Sequence, residues 1–251
     1  MKALITGASS GIGYSFAKYL SELGYDLILV SRNKTKLLEI QKELKTKVKI
    51  VVADLTDFDK LKELYVLCRN DNIDILINNA GFGLFGEFNN NDLNDELKMI
   101  DLNIKAVHIL TKFFLKDMIA RDHGYILNVS SAASFASGPL MSTYYATKSY
   151  VTNLTLAIYE ELRKNKSNVH VSCLCPGPVD TNFNNVANVR FSMKGLDSDY
   201  VSKYAIDKML KNKLIIIPGF KIKCSVFFNR FISHKLSLKI VYKFQHKKGK
   251  K

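Results

Sequence analysis

Apolar residues along the chain come in two alternating textures. Short aliphatic and β-branched runs stand at ALIT (3–6), DLILV (26–30), VKIVVA (48–53), IDILI (73–77), GYILNVS (124–130), VHVSCL (169–174) and LIII (214–217). Between them, apolar positions recur at helical spacing near 12–23, 35–45, 57–70, 92–119, 142–164 and 198–211. A run that is apolar at nearly every position suits a strand covered on both faces, as in a parallel sheet flanked by helices. Parallel neighbours need helix-length crossovers, which are right-handed in nearly all proteins. The pattern therefore predicts an α/β fold, a doubly wound seven-stranded parallel sheet in one domain over 1–217. A chain of 251 residues can bury roughly three quarters of its unfolded surface, so it needs no disulfide or metal staple.

Residues 218–251 continue past the last strand as a basic, amphipathic extension. Cys224, Phe227, Phe228 and Phe231 fall at i, i+3, i+4 and i+7, an apolar helical face. Leu236, Ile240, Val241 and Phe244 form another, with Lys235, Lys239 and Lys243 laddered beside it. Charge sets this stretch apart. The formal net charge is +14, yet 211–251 holds twelve Lys or Arg and no Asp or Glu, leaving +2 for 1–210. Like charges at i, i+4 weaken an isolated helix. The apolar faces are therefore expected to pack on the body of the fold, to lie on an anionic membrane surface, or to do both. Nucleic acid is not an expected partner, because the basic stretch carries no recognisable nucleic-acid motif.

No run reaches the roughly 18 apolar residues of a membrane span. The amino terminus enters a strand at once, so no leader is expected and the default location is cytoplasmic. The cysteines at 68, 173, 175 and 224 make no C-x-x-C pair and read as free thiols in a reducing compartment. Cys173 and Cys175 are expected on opposite faces of their strand. No histidine pair has metal-ligand spacing, and no metal is expected.

Candidate chemistry begins in the loop after the first strand. TGASSGIG places Gly7, Gly11 and Gly13 as G-x-x-x-G-x-G, opening the first helix. Glycines there permit a tight turn and a close backbone approach to a pyrophosphate seated at the helix N-terminus, with Ser9 and Ser10 as added donors. At the end of the second strand, where a carboxylate would bind an adenosine ribose, the chain reads Ser31-Arg32. Loss of the carboxylate and gain of a guanidinium favour a 2′-phosphate, hence NADP(H) over NAD. Lys36 stands one helical turn further on.

STYYATKSY sets Tyr144 four residues and Tyr145 three residues before Lys148. A free tyrosine has a pKa of about 10, too high for easy proton exchange near neutrality. An ammonium one helical turn away on the same face would lower it. Position i+4 favours Tyr144 as the working ring, leaving Tyr145 as pocket wall.

These motifs, in this order, resemble the short-chain dehydrogenase/reductase family over residues 1 to about 217. TGASSGIG matches its cofactor loop, including Ile12. ADLT places Asp54 and Leu55 at the adenine. NNAG (Asn78, Asn79, Ala80, Gly81) matches the motif after the fourth strand. Asn103 in DLNIKA, Ser131 thirteen residues before Tyr144, and Lys148 complete the catalytic tetrad. PGPVDT (Pro176, Gly177, Val179, Thr181) matches the loop facing the nicotinamide, and Tyr144 and Lys148 count among the cofactor contacts too.

The resemblance implies a Rossmann-like fold and NADP(H)-dependent interconversion of a ketone or aldehyde with an alcohol. Ser131 would orient the substrate oxygen, Tyr144 would act as general acid/base, and Asn103 would hold a water leading from Lys148 to solvent. It implies a substrate loop at about 182–199, here carrying Phe183, Val186, Val189, Phe191 and Met193, so a largely apolar small-molecule substrate is expected. Phe82, Phe85 and Phe88 are expected opposite that loop. A homo-oligomer built through the helices of Asn103 and Tyr144 is also expected. The alternatives are a 3-oxoacyl thioester reductase of lipid metabolism, a cofactor-sensing protein without catalysis, and a membrane-surface protein.

Overall fold

A computed structural model describes residues 1–181 and 195–246. Among them run strands β1 (Lys2–Thr6), β2 (Asp26–Ser31), β3 (Val48–Val52), β4 (Ile75–Asn78), β5 (Gly124–Val129), β6 (Val169–Leu174) and β7 (Ile215–Ile216). They form a single sheet in the order β3-β2-β1-β4-β5-β6-β7, and every neighbouring pair is parallel. The helices are α1 (Gly11–Glu22), α2 (Lys34–Glu43), α3 (Phe58–Cys68), α4 (Leu93–Ile100), α5 (Val107–Ala120), α6 (Ser142–Lys164), α7 (Ser198–Met209), α8 (Phe220–Phe228) and α9 (His234–His246).

Alternation along the strands divides the core in two. Ala3, Ile5, Leu27, Leu29, Ile75 and Ile77 point to one side, against Phe16 and Leu20 of α1 and Ala205, Ile206 and Met209 of α7. Leu4, Ile28, Val30, Leu76 and Ile126 point to the other, against Leu61 and Leu64 of α3 and Leu110, Phe114 and Met118 of α5. Successive side chains on a strand take opposite faces, so an unbroken apolar run feeds both layers. The doubly wound, Rossmann-like sheet in a single domain is what the sequence pattern predicts.

Two local features depart from expectation, and the extension divides between the places open to it. The helical stretch at 92–119 is interrupted, because a π-helical turn, Asp101–Ala106, joins α4 to α5. Cys173 and Cys175 share a side, their sulfurs 3.6 Å apart, since positions two apart on an extended chain face the same way. Both are free thiols. In the extension, the three phenylalanines of the apolar face Cys224, Phe227, Phe228 and Phe231 are exposed, and Val226 is the buried residue of α8. No helix among the described residues is long and apolar enough to cross a membrane.

Candidate active site

The strand order reverses at β1, with β2 and β3 on one side and β4 to β7 on the other. Such a reversal leaves a crevice at the carboxyl ends of the strands. Here it is a cleft of about 590 Å³, and nearly all the sequence-nominated residues line it. Gly7, Ser9, Ser10, Gly11 and Ile12 form one wall, Ser31, Arg32, Asp54 and Leu55 the far end, and Asn79, Ala80 and Gly81 the floor. Ser131, Tyr144 and Lys148 stand at the opposite end with Pro176, Gly177, Val179 and Thr181. Gly13 and Asn103 sit just behind the surface rather than on it.

Glycine is required at specific points of this wall. Gly7 has φ +65°, and a Cβ there would lie 2.9 Å from the Ala80 Cα. A Cβ on Gly13 would lie 2.2 Å from the Gly7 carbonyl oxygen, an overlap that no side-chain adjustment relieves. The Thr6 hydroxyl accepts the backbone N–H groups of Asn79 and Ala80 at 2.9 and 3.0 Å, and the Asn79 amide donates to the Thr6 carbonyl at 3.0 Å. The ends of β1 and β4 are thus stapled together beneath the loop. Ser10 stands at the N-cap of α1 without a side-chain capping bond, and the first turn holds no acidic residue, so the helix N-terminus stays favourable to an anion.

At the far end, Ser31 donates its hydroxyl proton to Ser9 (2.9 Å) and accepts from the Asn33 N–H (3.0 Å). The Arg32 side chain is 75% exposed, its Nη1 3.9 Å from the Asp54 Oδ2. Burial works against the Asp54 carboxylate, but bonds from the Thr56 N–H and hydroxyl, with Arg32 nearby, hold its pKa below the ordinary value. Lys36 pairs with Glu39 at 2.8 Å.

The reactive end rests on three elements. Ser131 caps a short 3-10 turn, Ala132–Phe135, accepting from the Ala133 N–H at 3.1 Å. Tyr144 and Lys148 rise from the first turns of α6 and are 9% and 6% exposed. Burial pushes the Tyr144 phenol up to about 12, and a hydrogen bond from Ser131 acts in the opposite direction. The expected depression by Lys148 is not produced by the protein groups. The ammonium lies 5.9 Å from the Tyr144 ring centroid and donates to the Val129 carbonyl at 3.0 Å. Its own pKa is lowered to about 8, chiefly by burial.

Asn103 lies in the π turn, fully buried. Its Oδ1 accepts from the Phe82 N–H at 3.1 Å, while its Nδ2 donates to the Phe82 carbonyl at 2.9 Å and to Thr147 Oγ1 at 3.1 Å. The side chain therefore clamps the strand-end loop to α6. Gly81 fits between it and Lys148, where a Cβ would stand 2.8 Å from Asn103 Oδ1 and 3.4 Å from Lys148 Nζ.

Tyr145 also lines the cleft, as pocket wall: its hydroxyl accepts from Gln245 Nε2 at 2.6 Å, and its ring meets Tyr144 edge-on. Ser131 thus engages Tyr144 and the extension engages Tyr145. The extension packs on the enzyme body. Ile222 presses against Gly177, where a Cβ would come within 2.7 Å, and Asn229 donates to the Phe135 carbonyl at 2.8 Å. Ile222, Val226, Ile240, Val241 and Phe244 form an apolar side of the cleft. Sequence reasoning missed Thr6, Thr147, Ile222 and Val226. A single buried threonine or valine carries no motif; of the expected face of Leu236, Ile240, Val241 and Phe244, the last three line the cleft and Leu236 is exposed.

Phe82 lines the cleft and Phe85 packs beside Met99, Met141 and Tyr144. Phe88, expected with them, is exposed instead. It lies in the turn that leads into α4 and does not line the cleft. Phe183, Val186, Val189, Phe191 and Met193 of the expected substrate loop lie outside the described residues.

Comparison with known proteins bears directly on this arrangement. An uncharacterized oxidoreductase of Staphylococcus epidermidis is 34% identical over 181 residues, which is 71% of this chain and 78% of that protein. A short-chain dehydrogenase from Sphingobium yanoikuyae in complex with NADPH superimposes with a TM-score of 0.82 at 28% identity, covering 92% of this chain and 93% of its own. A short-chain dehydrogenase/reductase from Burkholderia phymatum in complex with NAD gives a TM-score of 0.83 at 25% identity, covering 90% and 91%. Residues 1–190 match the profile of the short chain dehydrogenase family, the stretch that holds the glycine loop, the Ser131–Tyr144–Lys148 group and the Pro176 loop, and the chain is a member of that family of oxidoreductases.

Proposed function

We propose that the chain is an NADP(H)-dependent oxidoreductase interconverting a ketone or aldehyde with an alcohol, on a predominantly apolar substrate. The observation that carries this reading is the meeting of Ser131, Tyr144 and Lys148 at one end of a cleft whose other end is a glycine loop at a helix N-terminus. The residues fit a dinucleotide, since Gly7 and Gly13 leave no space for a Cβ and the α1 N-terminus is uncapped by any side chain. Once bound, the nicotinamide supplies or accepts the hydride.

The protein's share is placement and the proton. Ser131, fixed by its 3-10 turn, donates to the substrate oxygen and aims it at Tyr144. The Tyr144 phenol, held neutral at pH 7 by burial, keeps the proton that a developing alkoxide takes. Lys148 places a cation behind that ring and supports the phenolate once the proton has left. Asn103 fixes the wall between them. The apolar roof formed by Ile222, Val226 and Phe244 selects against small hydrated substrates.

The test is NADPH oxidation by purified protein against small diketones, aromatic aldehydes, steroid ketones and long-chain 3-oxoacyl thioesters, repeated with NADH. Turnover with the bulky apolar members is the expected result; no turnover with any class would overturn the reading.

Preference for NADP(H) rests on Ser31 and Arg32. With no carboxylate at that strand end and a guanidinium free to move from its loose 3.9 Å contact with Asp54, a 2′-phosphate gains a partner and meets no repulsion. Arg32→Ala is expected to raise KM for NADPH roughly tenfold or more, hydrogen bonds to charged groups being worth about 1.5–3 kcal/mol. KM for NADH should stay unchanged. Equal losses with both dinucleotides would remove Arg32 from that role.

A further inference from the structure

The outer side of α8 and α9 takes no part in the cleft, and its composition is inverted for a solvent-facing surface. The packed side of α9 buries two polar residues, Ser237 and Gln245, at 8% and 1% exposure. Meanwhile Phe220, Phe227, Phe228 and Phe231 face outward at 81%, 52%, 63% and 72%. Three of these rings form one ridge, Phe227 lying 5.5 Å from Phe228 and 5.4 Å from Phe231 by ring centroid. An exposed apolar patch of this kind marks an interaction surface.

Charge identifies the partner. Lys221, Lys223, Arg230, Lys235, Lys239 and Lys243, on the same two helices and the turn between them, are all exposed. Among the described residues, none of the ion pairs uses a cation from this stretch. The whole of 211–251 has twelve cations and no carboxylate to neutralise them. A second copy of the chain would bring two such surfaces together and is opposed by their repulsion. Nucleic acid would engage the lysines but not the ridge, whose rings pack edge to face on one another rather than standing apart as base-stacking platforms. An anionic bilayer satisfies both features at once, since hydrocarbon accepts the rings and the exposed lysines of the same helices meet the lipid phosphates.

We propose that α8 and α9 form a docking surface for anionic membranes, with Phe227, Phe228 and Phe231 entering the boundary between headgroups and acyl chains. Docking in this way sets the opposite side of the same two helices, the apolar wall of Ile222, Val226 and Phe244, directly behind the membrane surface. The proposal does not depend on which reaction the cleft performs.

The experiment is co-sedimentation of the full-length protein with vesicles of phosphatidylcholine alone and with about one third phosphatidylglycerol, in low and high salt. Two variants accompany it. One is the triple substitution Phe227→Ser, Phe228→Ser, Phe231→Ser, and the other is Lys235→Glu, Lys239→Glu, Lys243→Glu. The expected result is binding that requires the anionic lipid, weakens in high salt, and falls at least about tenfold in each variant, because affinity here scales with apolar area and charge together. Because all six side chains are exposed, unfolding transitions should match the parent and exclude misfolding as the cause. Full-length protein remaining in the supernatant with anionic vesicles would overturn the proposal. Binding that survives the phenylalanine substitutions would also overturn it, reducing the surface to a general polycation. A dimer in analytical ultracentrifugation that the phenylalanine variant converts to monomer would instead assign the ridge to a second copy.

Discussion

Tyr144→Phe is expected to lower kcat for carbonyl reduction by roughly 10²- to 10⁴-fold, the range spanned by a positioned general acid. NADPH affinity, read by fluorescence titration, should change little. The substitution removes one oxygen from a ring that stays packed against Met99 and Met141, and with it the hydrogen bond with Ser131. Tyr145→Phe is the necessary partner experiment. Its hydroxyl accepts from Gln245 at 2.6 Å, a bond internal to the extension and pocket wall, so its loss should cost only a few-fold. The reverse pattern, with Tyr145 the sensitive ring, would mean that the proton comes from the other tyrosine.

The pH profile follows from the same geometry. Burial sets the Tyr144 phenol at about 12. The protonated form needed for reduction is thus populated throughout the neutral range, and reduction should be flat there. Alcohol oxidation needs the phenolate and should rise with pH across that range. A reduction rate that declines as pH rises through the neutral range would show that the acid in use is some other group of lower pKa.

Most of the sheet is legible in the sequence because a strand buried on both faces must be apolar at nearly every position, and few other elements share that texture. The glycine loop is legible for a related reason: Gly7 and Gly13 are fixed by contacts with Ala80 and with the Gly7 carbonyl that no other residue can make. The interruption at 101–106 is not legible. A π turn inserts one residue into the helical ladder without altering the apolar pattern around it, and what holds Asn103 inward is the backbone of Phe82, distant in sequence. The electrostatics of the tyrosine–lysine pair within the protein alone are not legible for a different reason. Spacing on a helix brings the two side chains together but is silent on burial, which pushes the phenol's pKa up and the lysine's down.

The extension shows the same limit more sharply. Helical periodicity identifies Phe227, Phe228 and Phe231 as a face, yet the enzyme surface selects Ile222 and Val226, which fit against Gly177 and the cleft. A helix with two possible apolar faces is assigned by the shape of its partner. Periodicity ranks faces by hydrophobicity, and here the more hydrophobic one is left outside.

Lys148→Met is expected to abolish turnover and yet to stabilise the fold near neutral pH. The Lys148 ammonium is 6% exposed and donates to the Val129 carbonyl at 3.0 Å, with no carboxylate among its bonded partners. Burial lowers its pKa from 10.5 to about 8, and the Cys173 and Cys175 sulfurs offset this only in part. A folded-state pKa below the unfolded value means that the unfolded chain binds the extra proton between those two limits. Stability therefore rises as pH climbs from about 8 to 10.5 and carries its full penalty below about 8. A shift of that size corresponds to roughly 3 kcal/mol, and methionine of similar length removes the charge while filling the space. Urea unfolding of both proteins at pH 7 and above pH 10 checks this: the variant should gain a few kcal/mol at pH 7, and the gain should fade at the higher pH. A variant destabilised equally at both would mean that the bond to Val129 outweighs the buried charge. Such a gain would mark Lys148 as a residue held against stability, as expected if the charge behind Tyr144 serves the proposed reaction.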